Sequence, residues 1–257
     1  EAAVTKNMMQ TRGIDTKRVI ISEPQSIEEF RTNAVRMLES YNDGDEKPPM
    51  MMVLDSLGML SSVKELEDVE SGKQARDMTK AQLLRGTFRV LSLKLAKANV
   101  PLLVTNHVYD VVGAYIPTKE ISGGSGLKYA ASSIAMLSKK KDKDGTDVVG
   151  NIIKVTMHKS RFTKENKRVE VKLSYDKGLD RYYGLLDLAE KYDIIKKVST
   201  RYELPDGTKV FGKNINEDPE KYFAPIMSQL EEAAHKEFEY GSIDETEEET
   251  ADENTEI

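Results

Sequence analysis

Three short constellations carry residue types that could do chemistry. Met50-Met-Met-Val-Leu-Asp55-Ser56 is an apolar run that stops at an acid, and Val100-Pro-Leu-Leu-Val-Thr105-Asn106-His107 is a second run that stops at polar residues. His158-Lys159-Ser160-Arg161 sets two cations close together. An acid at the carboxyl end of a buried strand stands where parallel α/β proteins bind ligands. Asp55 with Ser56 suits the Mg2+ of a bound nucleotide, held directly or through water; the alternative is an acid that only caps the next helix. A donor at Asn106 or His107, on the neighbouring strand end, would reach a terminal phosphate; alternatively both merely satisfy loop backbone. Lys159 and Arg161 share a face if Met157 to Arg161 is extended, because strand side chains alternate.

Placing Asp55 and His107 at one edge requires two parallel strands. Both runs are continuously apolar rather than alternating, which is the pattern of strands covered on both faces. A helix expected from about Gly72 to Ala98 separates them, and strand, helix, strand is the unit of an α/β parallel sheet. Upstream, residues 1–18 read as a helix that ends near Gly13, Arg18 to Ser22 as a short buried strand, and Ser26 with Glu29 as a capping box. Downstream, a helical turn from Leu127 leads into a strand. Asp144-Gly145 marks a hairpin into the alternating strands Asn151 to Met157 and Arg168 to Ser174. From Gly184 a small α/β appendage is expected: a helix over Leu185 to Lys196, a second hairpin at Asp206-Gly207, and a helix after Asp218-Pro219.

The 257 residues suffice for a large core. No run reaches the length of an apolar membrane span, and the opening Glu-Ala-Ala-Val-Thr-Lys has no signal-peptide core. With no cysteine and only His107, His158 and His235, a disulfide framework and a thiolate metal site are excluded, and a reducing, cytoplasmic setting is expected. The formal charge of −6 conceals a polarity: residues 241–257 hold eight acids and no base, so removing them brings the body to +2. A slightly basic body with an acidic tail suits a protein that meets polyanions, although a solvated tail without a role has the same composition.

Taken in order and spacing, Met50 to Ser56, Thr105-Asn106-His107, Ser122-Gly-Gly-Ser-Gly-Leu-Lys-Tyr-Ala-Ala-Ser132 and His158-Lys-Ser-Arg-Phe162 resemble the RecA-type recombinases, most nearly the UvsX recombinases of T-even-like bacteriophages. The resemblance runs from Glu1 to about Phe223. It implies an α/β, RecA-like core over 1–183, a C-terminal α/β subdomain over 184–240 and an acidic disordered tail over 241–257. The core's mostly parallel sheet finishes in antiparallel strands. The implied activity is phage homologous recombination: a DNA-dependent ATPase that uses ATP and Mg2+ to form a filament on single-stranded DNA and exchanges it with a homologous duplex.

By the same resemblance His107 is the phosphate sensor and Glu1 orients the attacking water. Asp55 and Ser56 hold the metal and nucleotide, and Thr5 and Met8 flank the adenine. Lys159 and Arg161 reach the nucleotide of a neighbouring subunit, and Lys128 and Tyr129 sit at that subunit contact. The segment after His107 becomes a DNA-binding loop in which Tyr109 and Tyr115 offer stacking surfaces, Lys119 a phosphate contact, and Gly123-Gly124 a change of shape. A first DNA loop falls between about Glu67 and Lys80 with Lys73, Arg76 and Lys80 as its cations, continued by Arg85 and Arg89 on the next helix, unless these are ordinary solvated helix charges.

The sequence contains no Gly-x-x-x-x-Gly-Lys-Ser/Thr phosphate loop. In the family order that loop precedes Glu1, so an N-terminally truncated recombinase is expected, without the first two core strands and the polymerising segment. Two other readings stand beside the recombinase: a non-enzymatic DNA-binding and filament-interface fragment, and a ring helicase of the same fold. Expected partners are single- and double-stranded DNA, other copies of the chain, and accessory proteins such as a recombination mediator or single-strand-binding protein.

Overall fold

Local signals set where the first helices begin. The computed structural model describes residues 4–72, 79–110 and 119–241. Thr5 caps α1 (Lys6–Thr11), its hydroxyl accepting the Met8 N–H. Ser26 caps α2 (Ile27–Asp43) by accepting the Glu29 N–H, while the Glu29 carboxylate accepts from Gln25 N–H at 2.8 Å. The capping box therefore forms with its return bond one residue earlier than the usual pattern.

The chain forms two compact units, 1–131 and 132–257, a division that falls elsewhere than the 183/184 boundary expected from the sequence. In the first unit, β1 (Met52–Leu54) is followed by α3 (Val63–Glu70) and α4 (Lys80–Ala98), and the chain returns as β2 (Leu102–Val104), parallel to β1. Asn99, in the left-handed conformation with φ 51°, ends α4. Ile27, Phe30, Ala34 and Leu38 of α2 and Leu84, Phe88 and Leu91 of α4 recur every three or four positions and bury their faces against Leu54. Each of the leucine, isoleucine and phenylalanine side chains, fully buried, contributes about 1.5–3 kcal/mol. Met52, Leu102 and Val104 pack on this core, while Val53 and Leu103 point the other way and are 57% and 55% exposed.

The helix expected to end near Gly13 is α1, closed at that glycine with φ +78°. One expectation fails beside it. Arg18 to Ser22 is not a strand: Arg18 ends a 3-10 turn and Ile20 is 79% exposed. A strand needs a hydrogen-bonded neighbour, and the described sheet here holds β1 and β2 alone. Beyond β2, β3 (Val108–Asp110) pairs antiparallel with β4 (Lys119–Ile121), and α5 (Ser125–Ala130) ends the unit.

The second unit opens on the expected hairpin. β5 (Ser133–Asp144) and β6 (Asp147–Ser160) turn at Gly145, with φ +60°, and β7 (Arg168–Ser174) and β8 (Gly178–Leu179) complete an antiparallel sheet in the order β5-β6-β7-β8. α6 (Leu185–Lys191) is shorter than expected, because Lys196 to Val198 leave it to form β9. β9 pairs with β10 (Arg201–Glu203), which pairs with β11 (Lys209–Phe211) across the Asp206-Gly207 turn. α7 (Gly212–Glu217), α8 (Pro219–Phe223) and α9 (Met227–Phe238) follow. Their Ile215, Phe223 and Leu230 close a separate core with Ala189 and Ile195, and Tyr182 stacks on Phe223 at 6.0 Å.

The end of α9 is fastened to the β6–β7 connection. Glu237 accepts hydrogen bonds from Lys167, Lys191 and Tyr192, and the Lys164 N–H donates to the Phe238 carbonyl. The lysine and tyrosine donors hold the Glu237 carboxyl down from its ordinary 4.5 to about 2. A depressed folded-state value gives stability that is whole above the ordinary value and is lost as pH falls through the folded one. The thermal midpoint of the second unit is therefore expected to drop between about pH 5 and pH 2. Glu237→Gln should lower the midpoint at neutral pH and flatten that drop, as followed by calorimetry.

Candidate functional site

Parallel register decides what stands at the carboxyl edge of the first unit. Because Leu54 pairs with Val104, the next residues, Asp55 and Thr105, fall side by side. The Thr105 hydroxyl donates to Asp55 Oδ1 at 2.6 Å. Backbone bonds lock the same step: Thr105 N–H donates to the Leu54 carbonyl and Leu57 N–H to the Thr105 carbonyl, both at 3.0 Å. Asp55 remains exposed. Ser56 is buried, and its Oγ meets no hydrogen-bond partner among the described residues. A buried hydroxyl without a partner beside an exposed carboxylate fits the oxygen ligation that Mg2+ and its waters require.

Asn106 works as a brace. Its Nδ2 donates to the Ser122 carbonyl at 2.7 Å and its Oδ1 accepts the His107 N–H at 2.9 Å. Ser122 N–H in turn donates to the His107 carbonyl at 3.0 Å. The loop-backbone alternative therefore describes Asn106, whereas the His107 ring is exposed at the edge. Val108↔Ile121, Tyr109↔Glu120 and Asp110↔Lys119 then close the base of the segment as a ladder. Tyr109 is 57% exposed on it, and Lys119 is exposed beside it.

The far end of this segment rests on α4. Gly123 has φ +92°, and a Cβ there would approach Leu84 Cδ1 to 2.9 Å; Gly124 has φ +76°, with Ala81 Cβ 3.5 Å from the same point. Gly126 has no such torsion, yet a Cβ would lie 2.8 Å from Arg85 Cβ. The glycines serve close approach to a helix as well as freedom of the chain. Arg89 is exposed on α4. Lys80, at the start of α4, is paired with Glu65 of α3 at 3.1 Å, and this lysine holds the Glu65 carboxyl below the usual range.

Other expected site residues are placed separately. Thr5 spends its hydroxyl as acceptor on the cap of α1; Met8 is 39% exposed, and Met9 is its buried neighbour. Val4, Thr5, Lys6, Ile21 and Glu23 line an open groove. Lys128 and Tyr129 lie on α5, the tyrosine 75% exposed. In the second unit, Lys159 pairs with Ile134 next to a bulge at His158, and Arg161 lies one residue past the strand, its N–H donating to the Ser132 carbonyl at 3.1 Å. Glu1, Lys73, Arg76 and Tyr115 lie outside the described residues. Among the described residues no three metal-ligating side chains converge, and no helix is long and apolar enough to cross a membrane.

Sequence reasoning missed Thr105 as the partner of Asp55, Gly58 beneath His107, and the α4 contacts of Gly123 and Gly126. Register would have found the first, since equal strand lengths carry equal ends together. The others depend on tertiary approach, which leaves no local signal. If Asn106 is the brace, Asn106→Ala should raise the exchange rates of the His107 and Ser122 amides about fivefold or more, with far-UV dichroism unchanged.

The RecA N-terminal domain family matches residues 1–180. The chain is 32% identical over 197 residues to the "Recombination and repair protein" of Enterobacteria phage T4, covering 77% of this chain and 49% of that one. It is 30% identical to the "Protein RecA" of Mycoplasma mycoides, covering 79% of this chain and 57% of that one. It is also 30% identical to the "Protein RecA" of Chloroherpeton thalassium, covering 90% and 64%. The chain thus spans about half the length of its phage relative. Among solved structures, the RadB recombinase is similar with a TM-score of 0.42 and 21% identity over 67% of this chain and 69% of that chain.

Proposed function

The chain belongs to the RecA family, and on that premise we propose that it is the switch and DNA-contact portion of a phage recombinase that assembles on single-stranded DNA with ATP and exchanges it with a homologous duplex. The observation that carries this is the linked strand ends: Asp55 bonded to Thr105, and the next residue, Asn106, tied to Ser122 at the base of the 108–121 ladder. A change at the metal-holding edge is then passed to the DNA-facing segment without an intervening flexible stretch.

In this reading Asp55 and the buried Ser56 hydroxyl hold Mg2+ of ATP, and His107 stands at the terminal phosphate. Mg2+, when bound, neutralises phosphate charge as it develops. Glu1 orients the attacking water, and Thr5 and Met8 flank the adenine. Lys159 and Arg161 offer positive charge to the nucleotide of a neighbouring copy, and Lys128 and Tyr129 contribute to that contact. Lys73, Arg76, Lys80, Arg89 and Lys119 neutralise DNA phosphates, Tyr109 and Tyr115 stack on bases, and Gly123 and Gly124 let the segment move. Lys80 leaves Glu65 when it meets phosphate; the pair is half-exposed, and surface pairs contribute only about 0–1 kcal/mol, so DNA can compete for it. The host cytoplasm is the proposed setting, with a recombination mediator and a single-strand-binding protein as accessory partners; the acidic tail tempers DNA binding or meets a basic partner such as the mediator.

ATP turnover by this chain, with and without single-stranded DNA, should be compared with a form extended upstream to include a phosphate-binding loop. The reading expects DNA-stimulated turnover in the extended form only; turnover indifferent to DNA in both forms refutes it. In the extended form, Arg89→Ala should reduce the slope of log affinity against log salt by about 0.7, the value for one single-strand phosphate contact.

A further inference from the structure

Gly58 lies in the 3-10 turn Leu57–Met59, immediately after the Asp55-Ser56 edge, and its φ is not in the left-handed region that demands glycine. What an added side chain would lack is space. A Cβ at Gly58 would stand 2.9 Å from His107 Cδ2, well inside the ordinary carbon contact distance of about 3.5–4.0 Å, and 3.4 Å from Asn106 Oδ1, an ordinary contact.

Neither backbone can retreat. The turn is pinned by Leu57 N–H to the Thr105 carbonyl at 3.0 Å and by Leu60 N–H to the Leu57 carbonyl at 3.2 Å, and Leu57 is buried. The His107 backbone is pinned on its other side, through Asn106 Oδ1 and through Ser122 N–H. The strain of an added methyl would have to be relieved by the imidazole, which has two torsions and is exposed. We propose that Gly58 is a positioning residue: its bare Cα is the seat that fixes where the His107 ring stands relative to Asp55 and Ser56.

The seat also links two events. A displacement of the turn, which begins at Ser56, moves the surface on which the ring rests, and Leu57 Cδ2 lies 4.0 Å from the point a Cβ of Gly123 would occupy. One short turn therefore begins at the proposed metal-holding edge, seats the sensor ring and lies near the glycine hinge. This inference rests on the sensor reading of His107 under Proposed function.

The test has a structural arm and a kinetic arm. In this chain, Gly58→Ala should move the NMR resonance of the His107 Cδ2 proton while those of His158 and His235 stay, with the melting temperature serving as a control for folding. In the extended form, Gly58→Ala should lower kcat for DNA-stimulated ATP turnover about tenfold or more, the scale of a misplaced catalytic group, with KM within about twofold. His107→Gln replaces the planar ring by a flexible chain, and in that background Gly58→Ala should cost less than about twofold. An unmoved His107 resonance, or an equal loss in both backgrounds, overturns the inference. If His107→Ala, which removes the donor, leaves DNA-stimulated turnover intact, the sensor reading falls and the positioning role with it, even where the NMR shift shows that the seat exists.

Discussion

A single parallel register underlies the site. Pairing Leu54 with Val104 places Asp55 against Thr105, and the 2.6 Å bond between them fixes the carboxylate that the proposed chemistry needs. Everything downstream inherits that step: Leu57 is tied back to Thr105, Asn106 is free to reach across to Ser122, and His107 is set above Gly58. A slip of one residue by either strand would turn its own core residue, Leu54 or Val104, away from the core and separate Asp55 from Thr105. The α2 and α4 faces that bury Leu54 therefore also maintain the geometry of the edge.

Elements with strong local signals were legible in the sequence. The Ser26 cap, the Asp144-Gly145 and Asp206-Gly207 turns, and the two apolar runs ending at Asp55 and Thr105 each combine a propensity with a boundary residue, and each is found. Elements that depend on neighbours were not. Arg18 to Ser22 has the composition of a strand but no described partner beside it. The segment after His107 reads as an open loop, yet its base is a ladder because Asn106 brings residues 107 and 122 together. Gly123-Gly124 reads as a hinge; its close approach to Leu84 and Ala81 is a packing property invisible to any window of sequence.

The second unit shows the same contrast. The spacing of Lys159 and Arg161 places both on one face of an extended strand, but β6 ends at Ser160, so Arg161 lies just outside it. What surrounds them is a network that the sequence did not announce: Ser160 Oγ accepts the N–H groups of Phe162 and Thr163, and the turn they form is held to α9 through Lys164 and Lys167. Such a network stabilises the backbone that carries the two cations.

The central claim is that the proposed metal-holding edge at Asp55 and Ser56 and the base of the proposed DNA-facing segment form one connected structure. The most direct measurement is hydrogen exchange at Ser122, whose N–H donates to the His107 carbonyl, in the DNA-free extended form with Mg2+ and either a non-hydrolysable ATP analogue or ADP. The account predicts that Ser122 and its neighbours in β4 exchange at different rates in the two nucleotide states, while the amides of α9 do not change. Equal exchange at Ser122 in both states, with nucleotide binding demonstrated, would contradict it.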